Sequence, residues 1–245
     1  MKRLLSMIAV FTLILTLMAC TSAPVNMDSV TNQPTASNKS QSNGKKVLFV
    51  GRDSGGDALV VKRLKEVHGF EVTVISDKEV TAAKTEGYTL IYISESVNSG
   101  KIRDKFVKDP IPVIYAEPQS TSDTGMTITD GYGKLDAGNV AKTIQIKDSK
   151  SPLAAGLQNQ VDVYKDNGKM GYAIPGSEAI VVATVPNQDQ NATIFAYEKG
   201  TKNAKDQPVI ARELFFYLFN GEEINQTESG WKLFDAAVRW TVGKK

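Results

Sequence analysis

Short apolar runs alternate with polar, helix-like segments in the first half of the chain. The runs predict buried parallel strands at 46–50, 71–75, 89–93 and 111–116. The segments between them predict a helix from Asp57, as N-cap, to about Val67, a short helix from Asp77 to Gly87, and a helix over 99–107. This alternation predicts a parallel sheet with helices on both faces and right-handed crossovers.

The second half of the chain has a different rhythm. Its predicted strands follow one another through turns instead of helices, and they lie at 143–146, 161–164, 179–185, 193–197 and 210–218. A last amphipathic helix is predicted over 228–242. We therefore expect one α/β domain over 46–245, with a largely parallel sheet that more antiparallel strands extend in the C-terminal half.

The N-terminus has the pattern of an export signal. Lys2 and Arg3 precede an uncharged apolar run of 15 residues over 4–18. This run is shorter than the roughly 20 residues needed to span a bilayer, and it suits the apolar core of a signal peptide. The alternatives are an ordinary signal peptide with a chance cysteine, or an uncleaved anchor.

The end of that run, Leu17-Met18-Ala19-Cys20, resembles the lipobox of bacterial lipoproteins. The resemblance implies that 1–19 is removed and that Cys20 is acylated through its sulfur. We therefore expect a lipid anchor in the cell membrane, with the protein on its extracytoplasmic face. Of the 25 residues over 21–45, 14 are Ser, Thr, Asn or Gln, so 20–45 is predicted to be a lipidated cysteine followed by a flexible tether.

Composition and charge exclude several classes of protein. Hydrophobic residues make up 41% and charged residues 23% of the 245 residues, which is typical of a globular domain. Without Lys2 and Arg3 the chain has 27 basic and 27 acidic residues, and this balance argues against a nucleic-acid partner. One Cys and one His leave neither a disulfide framework nor a Cys- or His-based metal site, and we predict no metal and no cofactor.

Five segments resemble the ThuA-like (trehalose-utilisation-like) proteins of the class I glutamine amidotransferase-like superfamily. They occur in order at 47–50 (VLFV), 90–94 (LIYIS), 112–117 (PVIYAE), 151–157 (SPLAAGL) and 230–240 (GWKLFDAAVRW). The resemblance covers about 46–243. It implies a flavodoxin-like three-layer α/β/α fold and a link to carbohydrate metabolism.

The same resemblance implies a degenerate amidotransferase site. The position of the nucleophilic cysteine corresponds to Glu117, and the position of the catalytic histidine corresponds to Asn220. Both the nucleophile and the base of glutaminase chemistry are then missing. We therefore predict no catalytic residue for this chemistry.

Polar side chains follow the predicted strands at the edge where ligands of open α/β sheets bind. Ser94, Glu95 and Ser96 follow the third strand, Glu117 follows the fourth, and 52–54 follow the first. Hydroxyl and carboxylate groups suit a sugar, which needs both donors and acceptors. The alternative is that these residues are solvated loop residues and helix caps.

Other residues leave their roles open. Arg212 opens a predicted strand and is a further ligand-binding candidate, pairing either with a carboxylate of this edge or with a substrate; the alternative is a structural ion pair. Glu95, Glu117 and Asp123 have the oxygen ligands that Ca²⁺ prefers, but no spacing that defines a site. His68 is predicted at the other end of the sheet, which argues against a serine triad.

Three functional hypotheses remain at this stage. The first is a membrane-anchored, non-catalytic lipoprotein that binds a carbohydrate or an envelope protein. The second is a carbohydrate-active enzyme that uses carboxylates such as Glu117 as acid or base. The third is a purely structural component of the cell envelope.

Overall fold

The computed structural model describes residues 45–81 and 85–243. The strands are β1 Lys46–Val50, β2 Glu71–Ile75, β3 Leu90–Ile93, β4 Val113–Tyr115, β5 Thr127–Leu135, β6 Thr143–Ile146, β7 Gln160–Asp162, β8 Met170–Pro175, β9 Ile180–Val185, β10 Gln188–Tyr197 and β11 Glu213–Phe216. The helices are α1 Gly56–Glu66, α2 Ser99–Ile102, α3 Pro118–Thr124 and α4 Glu228–Thr241.

One half of the sheet is parallel and has the order β2-β1-β3-β4-β11. This is the flavodoxin-like arrangement, in which the chain moves outward from β1 to β2 and then continues on the other side of β1. Val50 pairs with both Ile75 and Ile93, so the carboxyl ends of β1, β2 and β3 lie at the same level. The flavodoxin-like prediction is confirmed.

The other half of the sheet is antiparallel. It continues from β11 through β10, β9 and β6 to β7, while β8 pairs with β10 and carries β5 on its far side. These strands follow one another through turns, which permit antiparallel pairing without a crossover helix. The predicted antiparallel extension is therefore also confirmed.

Helices cover both faces of the parallel half, and alternation along each strand supplies both cores. Phe49 packs with Leu64 of α1 and Phe234 of α4, whereas Leu48 packs on the opposite face with Ile102 of α2. Each such fully buried side chain contributes about 1.5–3 kcal/mol to folding by its removal from water. The result is the expected three-layer arrangement, whose rigid strands fix the loops at their carboxyl ends.

Several predicted helices are shorter than expected or begin elsewhere. α2 ends at Ile102 because Arg103 adopts a left-handed backbone conformation with a φ of 48°, so the helix predicted over 99–107 is wrong beyond that point. The helix predicted from Asp77 is only a 3₁₀ turn over Asp77–Glu79. α1 has Gly55 as its N-cap, and Asp57 lies in its first turn instead of capping it.

Three elements have no counterpart in the sequence prediction: α3, β5 and β8. α3 has the sequence PQSTSDT, which contains no aliphatic or aromatic residue and so shows no hydrophobic periodicity. β5 contains two glycines, and its register with β8 shifts between Thr127 and Tyr132. The one usable signal was Pro118, because proline is favoured at the first position of a helix.

The predicted signal peptide, Cys20 and nearly all of the predicted tether lie outside the described residues. Among the helices of 45–81 and 85–243, none is both long enough and apolar enough to span a bilayer.

Candidate functional site

The carboxyl ends of β1, β3 and β4 meet at one edge of the sheet. Ser94, Glu95 and Ser96 follow β3 directly, and Glu117 lies two residues beyond the end of β4. Ile93 pairs with Tyr115, so both loops leave the sheet at the same level. The edge includes the point between β1 and β3 where the strand order reverses, which is where open α/β sheets bind ligands.

A buried aspartate of α1 holds the loops after β1 and β3 together. Asp57 is 1% exposed. Its carboxylate accepts hydrogen bonds from the Arg52 backbone N–H at 2.7 Å, from Ser94 Oγ at 2.5 Å and from Ser96 Oγ at 2.6 Å. The two serine hydroxyls therefore point their protons inward, which makes them supports of the edge instead of free nucleophiles.

The role of Asp57 is a correction of the sequence prediction, which made it a helix cap. Gly51 is part of this arrangement. A Cβ atom on Gly51 would lie 2.7 Å from Asp57 Oδ2 and 2.9 Å from Ser94 Cβ, so only glycine leaves room for this contact. The predicted neighbours 52–54 do share this edge, with exposed side chains.

Glu95 lies over the end of β11 with its carboxyl group partly buried. Glu95 Oε2 accepts a hydrogen bond from the Asn220 backbone N–H at 3.1 Å. Burial raises the pKa of Glu95 to about 7, although this hydrogen bond and the ammonium groups of Lys134 and Lys169 act in the opposite direction. Glu95 is therefore poised between its neutral and ionised forms near neutral pH.

Glu117 is the N-cap of α3. Its Oε1 accepts a hydrogen bond from the Gln119 backbone N–H at 3.0 Å. Burial, with a smaller contribution from the neighbouring charge of Glu95, raises the pKa of Glu117 to about 7, although the Gln119 N–H and Lys134 act in the opposite direction. The backbone of Glu117 is extended, with a φ of −80° and a ψ of 111°, so the strained turn of a nucleophile elbow is absent at this residue.

A third carboxyl group of the edge, Glu223, was missed by the sequence prediction. Glu223 Oε2 accepts a hydrogen bond from the Gly221 backbone N–H at 2.8 Å. Its carboxyl group lies against the start of α1, where a Cβ atom on Gly56 would come within 1.8 Å of Glu223 Oε2. Burial, with a smaller contribution from the charge of Asp57, raises the pKa of Glu223 to about 7. No local pattern marks Glu223, because its neighbours come from α1.

Two lysines and an aromatic ring complete the site. The Nζ atoms of Lys134 on β5 and Lys169 each lie 5.7 Å from the centre of the Phe219 ring. Such cation–π contacts place positive charge next to the carboxyl groups without forming a tight ion pair. β5 was not predicted, so Lys134 could not be placed near the site from the sequence.

Carboxyl groups with a pKa near 7 offer both a proton donor and acceptor oxygens at neutral pH. This suits hydroxyl-rich ligands, and it also suits proton transfer. In the part of the chain that the structure describes, no three acidic or histidine side chains converge in a way that could hold a metal ion.

Arg212 does not belong to this group. It precedes β11, at the opposite end of the sheet, where it donates to Glu198 at 2.8 and 3.1 Å and to the Trp240 carbonyl at 2.6 Å. These contacts favour the structural ion pair over pairing with a carboxylate of the ligand edge.

His68 also lies away from the candidate site. It is buried between α1 and α4, where its Nε2 lies 2.9 Å from Asp235 Oδ1. Its partner is therefore a carboxylate of α4, and no serine of the ligand edge is paired with it.

Comparison with solved structures shows proteins of the same fold. A Bacteroides uniformis ATCC 8492 protein named as ThuA-like superposes with a TM-score of 0.57 at 13% sequence identity, covering 86% of this chain and 96% of that one. A Thermoplasma acidophilum protein, named as part of a GMP synthase, superposes with a TM-score of 0.54 at 12% identity, covering 81% of this chain and 93% of that one. At these identities the likeness establishes the fold and leaves the function to the site.

Comparisons by sequence are negative. No protein-family model matches the chain, and no curated protein matches it either.

Proposed function

We propose that this chain is a lipid-anchored, extracytoplasmic protein that binds a carbohydrate at the carboxyl ends of β3 and β4, without glutaminase activity. The observation that carries the proposal is the pair Glu95 and Glu117. Both carboxyl groups lie at the ligand-binding edge of the fold, and burial raises the pKa of each to about 7.

A carbohydrate fits this pair because each hydroxyl of a sugar both donates and accepts. A carboxyl group that is partly protonated at neutral pH can donate a hydrogen bond to a sugar hydroxyl or accept one from it. Glu95 already accepts from the Asn220 backbone N–H, and Glu117 already accepts from the Gln119 backbone N–H. The ammonium groups of Lys134 and Lys169, each 5.7 Å from the centre of the largely buried Phe219 ring, add hydrogen-bond donors near these carboxyl groups.

The residues at the equivalents of the amidotransferase catalytic positions argue against glutaminase chemistry. Glu117 stands where the resemblance places the nucleophilic cysteine, and Asn220 stands where it places the histidine. A carboxylate cannot replace a thiolate that must attack an amide and form a thioester. The purified protein should therefore release no ammonia from glutamine.

The anchor rests on the N-terminal sequence alone. Cys20 is the single cysteine of the chain and directly follows Leu17-Met18-Ala19. Two or more acyl chains on such a residue hold a protein stably at a membrane, since each buried CH₂ contributes about 0.8 kcal/mol. Labelling with a fatty-acid probe should mark the wild-type protein and leave Cys20→Ala unmarked; an unlabelled wild type would contradict the anchor.

The second candidate function is hydrolysis of a carbohydrate by acid–base catalysis. The observation that favours it is the electrostatic coupling of Glu117 to Glu95, because one charged carboxylate raises the pKa of its neighbour and keeps it protonated as an acid. Both candidates use the same edge, so one experiment can separate them.

The experiment is a screen of oligosaccharides by thermal shift, followed by product analysis for every oligosaccharide that binds. Binding that is lost in Glu117→Gln and in Glu95→Gln, without cleavage, supports the proposal. Glu71→Gln is the matched control, because Glu71 is an exposed carboxylate on edge strand β2. Cleavage lost in the same variants supports the enzyme, and binding that all variants retain would contradict both functions.

A further inference from the structure

A cleft opens beside the carboxylate site, next to the carboxyl ends of β1 and β2. Its volume is about 340 Å³, and its wall includes Arg52, Asp77, Lys78, Ser96 and Lys101. This volume lies within the range of small-molecule pockets, which begins at roughly 300 Å³. Ser96 also borders the carboxylate site through its neighbour Glu95, so the two sites are adjacent but distinct.

The positive groups of this cleft come from three separate segments. Arg52 lies in the loop after β1, Lys78 lies in the 3₁₀ turn over Asp77–Glu79, and Lys101 lies in α2. Among the described residues, the only carboxylate on the cleft wall is Asp77. A wall with three cations and one carboxylate has an excess of positive charge, which attracts an anion.

The single carboxylate is already neutralised by its neighbours. Asp77 accepts a hydrogen bond from the Asn98 backbone N–H at 2.9 Å, and Asp77 Oδ1 lies 3.4 Å from Lys101 Nζ. Burial acts in the opposite direction, yet these contacts hold the pKa of Asp77 below its ordinary value. The negative charge of Asp77 is thus used to position Lys101.

The other two cations have no carboxylate partner within the described residues. Arg52 Nη2 makes one long contact, 3.5 Å, with the Ser96 carbonyl, and the side chain of Lys78 has no ion pair in 45–81 and 85–243. Their backbones are nevertheless well held. The Arg52 N–H donates to Asp57, and Ser76 with Glu79 forms a capping box around Lys78. The two charges therefore face the cleft from fixed loops.

We propose that this cleft binds the phosphate group of a small anionic ligand. The guanidinium of Arg52 can donate two parallel hydrogen bonds to phosphate oxygens, while Lys78 and Lys101 act as point charges. A tetrahedral dianion can meet three cations from three directions, whereas a planar monoanionic carboxylate neutralises fewer of them. This site is independent of the carbohydrate site, and either can exist without the other.

The test is isothermal titration of the full-length protein in mild detergent with inorganic phosphate, in low-chloride buffer at pH 7.5. Phosphate should bind the wild type, and Arg52→Gln and Lys78→Gln should each weaken binding roughly tenfold, as loss of a hydrogen bond to a charged group does. Both side chains are exposed, so neither substitution removes a core contact. Lys101→Gln is not used, because it would also release Asp77.

Arg239→Gln and Lys62→Gln are matched controls. They remove an exposed arginine and an exposed lysine from helices that do not border the cleft, and they should leave the affinity for phosphate unchanged. Absence of phosphate binding to the wild type, or equal binding by wild type and the double variant Arg52→Gln/Lys78→Gln, would overturn the proposal.

Two further titrants separate the sources of such a phosphate. Glycerol 3-phosphate represents a soluble phosphomonoester, and glycerophosphoglycerol represents a phosphodiester lipid headgroup. Tighter binding of the monoester would identify a soluble metabolite as the ligand class, and tighter binding of the diester would identify a headgroup. Failure of both to compete with inorganic phosphate would count against a ligand-binding role of the cleft.

Discussion

Two regions of the domain that bury carboxylates change their acidity in opposite directions. At the ligand edge, burial raises the pKa of Glu95 and Glu117 to about 7. Between α1 and α4, burial also acts on Asp235, but hydrogen bonds from His68 and Arg63 and their charges hold the pKa of Asp235 below its ordinary value. The same kind of group is therefore neutralised by protonation in one region and by ion pairing in the other.

The difference lies in the partners that each carboxylate has. Asp235 receives two hydrogen bonds from the Arg63 guanidinium, at 2.7 and 2.6 Å, and a third contact from His68. Glu95 and Glu117 each receive one backbone N–H, and their lysines form no tight pair with them. Removing one partner of such a pair is destabilising, whereas carboxylates buried without such partners cost stability and, at the ligand-binding edge of the fold, mark a candidate functional site.

The largest expected effect is loss of the Asp235 cluster. Asp235→Ala leaves Arg63 without its bidentate partner and His68 without its acceptor, so the free energy of unfolding should fall by about 2–3 kcal/mol. The value is below that of a fully buried pair because the Arg63 side chain remains 25% exposed. Urea unfolding at pH 7 measures it, with Glu228→Ala on the exposed face of α4 as control. A loss of stability no larger than that of the control would show that the ion pairs of Asp235 do not stabilise the fold.

The next effect is expected at Glu117, where substitution should raise the free energy of unfolding instead of lowering it. The pKa of this group rises from 4.5 to about 7 in the fold, so the folded state binds the proton more tightly than the unfolded chain. Stability that depends on this proton is complete below about pH 4.5 and is lost as the pH rises through 7. Glu117→Gln should therefore be about 1–2 kcal/mol more stable than the wild type at pH 8, and equally stable at pH 4.

Urea unfolding of Glu117→Gln and wild type from pH 4 to pH 9 provides the measurement. Glu71→Gln, at an exposed carboxylate, should show no such pH-dependent gain. A Glu117→Gln variant that is less stable than the wild type at pH 8 would mean that the carboxylate is paired in the fold after all.

A smaller effect is expected at Arg212, which separates a structural ion pair from a ligand contact. Arg212→Gln removes its pair with Glu198 and its contact with the Trp240 carbonyl, and should cost about 1 kcal/mol because both charged side chains are partly exposed. It should leave carbohydrate binding unchanged. Thermal unfolding and glycan titration are to be measured on the same preparation. Weaker glycan binding without a loss of stability would identify Arg212 as a ligand contact.

The smallest effect is expected for an exposed ion pair, which tests whether pairing without burial contributes to stability. Glu228 and Lys232 form an ion pair at 3.0 Å on α4, with side chains that are 85% and 55% exposed. Glu228→Gln should change the free energy of unfolding by less than about 0.5 kcal/mol. A change as large as that of Asp235→Ala would show that burial is not what distinguishes the α1–α4 cluster.

Much of the edge could be located from the sequence, because β1, β3 and β4 are apolar runs with polar residues within two positions of their ends. Parallel strands place these residues at one edge, so Ser94–Ser96 and Glu117 were expected to be neighbours. Lys134, Phe219 and Glu223 were not found, since they come from strands and turns whose sequences show no clear periodicity.

The sequence by itself determined the strands of the parallel half and the first helix between them, because apolar runs, amphipathic spacing and glycine turns act within a few residues. Only the tertiary structure decided which charges have partners. Glu95 meets the backbone of Asn220 across 125 residues, and Asp235 meets Arg63 across 172. Such contacts depend on how sheet and helices pack together, and the partners that this packing supplies to a buried carboxylate set whether it is an ion-pair partner or a protonated group near neutral pH.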